Sequence, residues 1–211
     1  MTATTGIVDA VSILSLGRVF VANMTGNVVF VGFALAGAKG YSLAASLFAL
    51  AGFLLGAVGG GTALRYLQQN RAELMRNSVA AEIALLVLGL VLALFAGVPV
   101  PSAYADVITL ALATALGLQN AVVRRLSVPD LTTTVLTMTL TGIAADTPNG
   151  DRTVVGRRIL AVLAMLVGAG CGALLVLRVS PTAALALTVL LMTGVLLASS
   201  LAARRPAEWQ K

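Results

Sequence analysis

The chain has 211 residues, 59% of them hydrophobic and only 10% charged, with a net charge of +6 and a mean hydropathy of +0.99. So apolar a composition excludes an ordinary soluble globular domain, whose surface needs far more charge. The basic excess falls in short runs between apolar stretches rather than on one face with interleaved aromatics, which speaks against nucleic acid as a partner, and the absence of histidine removes the commonest proton shuttle and metal ligand.

The first element in chain order is a short helix that ends near Leu16 and carries Gly6-Ile7-Val8-Asp9-Ala10. An ionised carboxylate near a helix centre costs about 2.5–3.5 kcal/mol on membrane-insertion scales. Asp9 is therefore expected to face a cavity or a partner, where it could carry a proton or pair with a cation. Hydration at the membrane surface is the plainer alternative. Segment 19–38 comes next and holds Asn23-Met24-Thr25-Gly26-Asn27, after which the stretches 41–64 and 79–98 are each about long enough to cross a bilayer.

Beyond the uncharged, turn-forming join Gly97-Val98-Pro99-Val100-Pro101-Ser102 the same order recurs. Stretch 106–123 carries Gly117-Leu118-Gln119-Asn120-Ala121, segment 128–145 carries Asp130-Leu131-Thr132-Thr133-Thr134, and 159–177 and 182–203 are again long and apolar. The duplication divides a single membrane domain, 1–211, into halves of about 1–97 and 103–205. Asn120 is the counterpart of Asp9.

Charge decides the number of crossings. If segments 19–38 and 128–145 both cross, the basic residues divide equally between the two sides, against the positive-inside tendency. If both dip in and return, Arg65, Arg71, Arg76, Arg124, Arg125, Arg152, Arg157, Arg158, Arg204, Arg205 and Lys211 share the cytoplasmic side, and only Arg18, Lys39 and Arg178 lie outside. The expected fold is therefore an all-α polytopic bundle of six transmembrane helices plus two re-entrant half-helices. The repeat is inverted, and both termini are cytoplasmic.

A broken helix in lipid leaves backbone groups that only protein or a water-filled cavity can satisfy. Asn23, Thr25, Gly26 and Asn27 suit such a turn, with a half-helix running outward from about Val28. In the second copy Pro129 favours a break, Asp130 can cap the new helix, and Thr132, Thr133 and Thr134 line its first turn. Two helix starts facing one cavity would favour an anion or a polar, carbonyl-bearing solute. The plainer alternative is that these threonines and asparagines only bond between helices, or back to their own helix as Thr137, Thr139 and Thr141 could.

Other features read as structural. Glu82 and Asp106 are expected near the starts of their helices, Arg18 to snorkel to the surface, and Cys171 to fill space. The glycines at 52, 56, 59, 60 and 61, and again at 168, 170 and 172, suit close helix packing, within one subunit or across a homodimer. The sequon Asn23-Met24-Thr25 lies among apolar residues, which argues against glycosylation.

The run from Gly17 to Phe30, with its Met-Thr-Gly-Asn, and the later Gly-Leu-Gln-Asn-Ala and Asp-Leu-Thr-Thr-Thr elements resemble the YoaK family of bacterial membrane proteins over essentially the whole chain. The resemblance implies an integral protein of the bacterial inner membrane, a domain of unknown function with no established substrate. It also implies more hydrophobic sequence ahead of Gly6 than is found here, so the first span is short.

The expected function is transport of a small polar or anionic solute across the lipid bilayer, with Asp9, Asn23, Thr25, Gly26, Asn27, Asn120, Asp130, Thr132, Thr133 and Thr134 around the site. No cofactor or metal is implied, nor any catalytic residue. A channel, an intramembrane enzyme using Asp9 and Asp130, and a membrane assembly protein are the alternatives.

Overall fold

The computed structural model describes residues 1–66, 71–126, 136–146 and 152–203. Eight helices account for most of them: α1 (Thr2–Ser15), α2 (Met24–Leu35), α3 (Leu43–Tyr66), α4 (Arg71–Ala96), α5 (Ser102–Leu126), α6 (Leu136–Asp146), α7 (Arg152–Arg178) and α8 (Pro181–Ala203). Among the described residues there is no strand.

Five of the eight, α3, α4, α5, α7 and α8, are long and apolar enough to cross a membrane. They coincide with the five long apolar stretches of the sequence. The other three are short. At a rise of about 1.5 Å per residue, α2 and α6 reach only about half way through a hydrocarbon core.

Burial has the pattern of a protein dissolved in lipid. Leu54, Leu55, Val58, Leu160, Leu166 and Leu174 are all exposed on the outside of the bundle, whereas polar Ser46, Thr109 and Thr188 are fully buried. Lipid supplies the missing partners for the outer leucines, so their exposure costs nothing there. The core is built on α1 and α5, where Ile7, Val8 and Val11 meet Ile108, Leu112 and Leu116, closed by Leu86 of α4 and Leu185 and Met192 of α8.

The helices pack in pairs that obey one rule. α3 lies along α5 and α7 along α1; α4 rests on α5 and α8 on α1; α2 covers α3 and α6 covers α7. α4 also meets α8, and α1 meets α5. Exchanging the first four helices for the last four leaves this set of pairs unchanged.

Glycine makes the two closest pairings possible. A Cβ at Gly56 would collide with the Thr114 carbonyl oxygen, and one at Gly60 would stand 2.8 Å from the Ala121 Cβ and 3.2 Å from Leu118. On the other side a Cβ at Gly168 would collide with the Ala3 carbonyl oxygen, and one at Gly172 would stand 2.8 Å from the Ile7 Cα. Side chains at these positions would force the backbones apart. The glycine-rich helices thus pack within the chain.

Candidate functional site

The site begins where α1 stops. Gly17 and Arg18 both take left-handed backbone conformations, φ 104° and 59°, and turn the chain back along α1 as a non-helical stretch over residues 16–23. Left-handed φ is easy for glycine and costly for arginine, so the turn is made at Gly17 and held by side-chain bonds to the backbone of residues 19–22. A non-helical stretch within a membrane bundle needs a partner for every backbone group.

Side chains supply partners for five of these groups. The Ser12 hydroxyl donates to the Val19 carbonyl at 2.6 Å. The Asn27 amide takes both groups of Phe20, its Oδ1 accepting from the N–H at 2.9 Å and its Nδ2 donating to the carbonyl at 2.6 Å. Asp9 Oδ1 accepts from the N–H groups of Val21 and Ala22 at 3.0 and 3.2 Å. Asp9 and Asn27 are buried, at 5% and 0% exposure.

One expectation is corrected here. The half-helix does not begin near Val28; α2 starts at Met24, with Asn23 as its N-cap. Thr25, Gly26 and Asn27 therefore lie in its first turn and not in the break. The reason is that Asn27 bonds across to Phe20, which lets the helix begin before the polar cluster ends. Gly26 serves by its size, since a Cβ there would stand 2.8 Å from the Phe20 ring.

A second correction concerns Glu82. It does not sit near the start of its helix: α4 begins at Arg71, which carries Glu82 into the interior at 2% exposure.

Between α1, the start of α2, α5, the start of α6 and α7 lies a cavity of about 450 Å³. Asp9, Asn23, Thr25, Gly26 and Asn120, each expected from the sequence, line it together. Asn27 does not reach it, being occupied with Phe20. Asp130, Thr132, Thr133 and Thr134 lie outside the described residues.

The cavity also takes three polar residues that sequence reading missed as site residues. Thr5 stands one helical turn before Asp9 on α1, Gln119 precedes Asn120 on α5, and Thr137 opens α6. The signal for Gln119 was its place inside the repeated Gly-Leu-Gln-Asn-Ala element, and for Thr5 its helical spacing from Asp9. Phe20, Val29, Val123 and Met165 supply apolar walls. Asn120 bonds back to the Leu116 carbonyl at 2.9 Å through Nδ2, as Thr141 does to the Thr137 carbonyl through its hydroxyl.

The lining offers complementary chemistry. Asp9 is the charged side chain among the described lining residues, and its four acceptor sites exceed the two N–H groups it satisfies. The first turn of α2, whose N-cap Asn23 makes no side-chain capping bond, borders the same space. Comparison with known proteins gives this geometry its context: the profile of a family described as "Protein of unknown function (DUF1275)" matches residues 1–198. The chain belongs to that family.

A curated member of similar sequence, the UPF0700 transmembrane protein YoaK of Bacillus subtilis (strain 168), is 33% identical over 145 residues. The match covers 68% of this chain and 62% of the relative, so the chain spans under two thirds of that protein's length. No solved structure matches. With a transmembrane relative and five membrane-length helices, this DUF1275 protein is a multi-pass membrane protein.

Proposed function

We propose that this protein moves a small polar solute across the bacterial inner membrane through a site between two inverted repeat halves. The observation that carries the reading is the cavity itself. Its walls come from both halves, and they include the repeat-related pair Asp9 and Asn120. At about 450 Å³ it falls within the range of small-molecule sites.

Three features support the repeat and its re-entrant segments. The packed helix pairs are unchanged when the halves are exchanged. The contacts of Gly56 with Thr114 and Gly60 with Leu118 correspond to those of Gly168 with Ala3 and Gly172 with Ile7, in the same register as Asp9 with Asn120. Finally, a Cβ at Gly40 would stand 3.4 Å from the tip of the Arg18 side chain, which is in keeping with a segment 19–38 that enters and leaves on one side.

With α1 counted as a crossing beside the five long helices, Arg18 and Lys39 would lie outside and both termini in the cytoplasm, in keeping with the positive-inside tendency. Discontinuous helices meeting near the midplane are a recurrent way to build a solute site in membranes. The start of α2 suits a carbonyl or carboxylate oxygen, and Asp9 suits an N–H or ammonium group. A small amide or zwitterion carries both.

Alternating access is in keeping with the packing. The closest seams join α1 to α7 and α3 to α5, so relative motion would fall between these two helix pairs rather than between the two halves of the sequence. Their relative tilt would open the cavity to either side.

Thermal-shift screening of the detergent-purified protein against amides, amino acids, nucleobases, carboxylates and amines tests the site. A stabilising compound whose effect vanishes in Asn120→Ala and Thr25→Ala, and whose uptake into proteoliposomes saturates, supports transport. Flux that rises linearly with concentration favours a channel. Stabilisation indifferent to both substitutions removes the site.

A further inference from the structure

A second cavity, about 20 Å³, lies beside the first, between α1, α4 and α5. That is room for a single water. Its polar wall is Glu82, Ser78 and Gln119, which are 2%, 9% and 8% exposed. Gln119 and Val123 line both cavities, so the space beside Glu82 shares a wall with the solute site.

Glu82 has no hydrogen bond or ion pair among the described residues. Its neighbours explain why. α3 has no charged residue from Leu43 to Leu64 and α8 has none from Pro181 to Ala203. On α5, Asp106 lies about 20 Å along the helix from Gln119, while Arg124 is exposed and has its own interaction. On α4 itself, Arg76 is exposed and Glu73 has its own interaction. α1 contributes Asp9, engaged with Val21 and Ala22, and Met1, just ahead of α1, lines the small cavity without forming an ion pair with Glu82.

A carboxylate enclosed by apolar helices is stable only with a proton or with a cation that replaces its lost water. Three oxygen-bearing side chains and one water are too few for a metal cation that takes six or more oxygens. A proton fits. We propose that Glu82 is a proton-binding site reached from the solute cavity through Gln119, and that this proton is the ion coupled to solute movement.

The coupling part rests on the transport reading above; the proton site does not. In the step, a Glu82 oxygen takes a proton from water in the large cavity and later returns it to water there. Gln119, able to donate and accept at once, carries the hydrogen-bonded path between the two spaces.

Infrared difference spectroscopy of the full-length protein in lipid, perfused between acid and alkaline buffer, reads the site without any solute. The carbonyl stretch of a protonated carboxylic acid should appear, disappear in Glu82→Gln, shift in Glu82→Asp, and persist in Asp106→Asn. Moving the Met1 amino group away with an N-terminal extension should leave the band in place. In D2O, Gln119→Leu should abolish the fast exchange of that band while keeping the band itself.

A band indifferent to Glu82→Gln and Glu82→Asp overturns the proton site. Unchanged exchange in Gln119→Leu overturns the route. Saturable solute uptake that does not respond to a pH gradient overturns the coupling while leaving transport intact, and loss of all solute binding with the band preserved overturns transport alone.

Discussion

Asn27 holds Phe20 by both of its backbone groups, in the geometry one strand offers another in a sheet. Substituting Asn27 with Leu leaves a half-buried N–H and carbonyl of Phe20 without partners, a loss of about 1–3 kcal/mol. Unfolding in detergent should show it as a clear fall in midpoint temperature. Asn27→Gln, which keeps the amide on a longer arm, should fall in between.

Asp9 separates a structural duty from a charge. Asp9→Asn retains an acceptor for the Val21 and Ala22 N–H groups and should change stability by no more than about 1 kcal/mol, whereas Asp9→Leu removes both bonds and should cost about 2–4 kcal/mol. If Asp9→Asn folds normally but no longer responds to amine-bearing compounds in the thermal screen, the carboxylate charge is used for binding. An unchanged response would restrict Asp9 to its structural duty.

The glycine seams predict a contrast along single helices. Gly56→Ala and Gly168→Ala place a methyl group against backbone and should each cost about 1–3 kcal/mol. Gly59→Ala and Gly170→Ala, where a Cβ meets nothing within 4 Å, should be neutral or slightly stabilising. Equal effects at all four sites would contradict the packing.

Topology can be read by cysteine labelling in a Cys171→Ser background, since the native thiol is exposed. Lys39→Cys should react with a membrane-impermeant reagent in intact cells, and Arg76→Cys only after the membrane is opened. Labelling of Arg18→Cys and Lys39→Cys from opposite sides would remove the re-entrant path of segment 19–38.

The long helices were legible because some twenty consecutive apolar residues have few other fates. The two polar clusters also named residues that the structure gathers around one cavity, Asp9, Asn23, Thr25, Gly26 and Asn120. What could not be read was where the chain bends. The polar run at Asn23–Asn27 has the composition of a break, yet the left-handed turn falls at Gly17 and Arg18, because Asp9 from before the turn and Asn27 from after it satisfy the non-helical stretch between.

Glu82 was misplaced for a related reason. The apolar stretch begins at Val79, but α4 starts at Arg71, whose polar first turns do not register in hydropathy. A carboxylate expected at a helix start is interior. Thr5 and Gln119 were overlooked because a site residue between two helices announces itself by its neighbour across the gap, which is absent from local sequence.

The seams between α1 and α7 and between α3 and α5 also bear on how the molecule is assembled. Each half contributes its first helix to a seam with the third helix of the other half, so neither half carries a finished interior. Cutting the polypeptide at the join around Pro99 should yield two fragments that are degraded when made singly and that rescue one another when co-expressed, as interlocked fingers hold only when both hands are present.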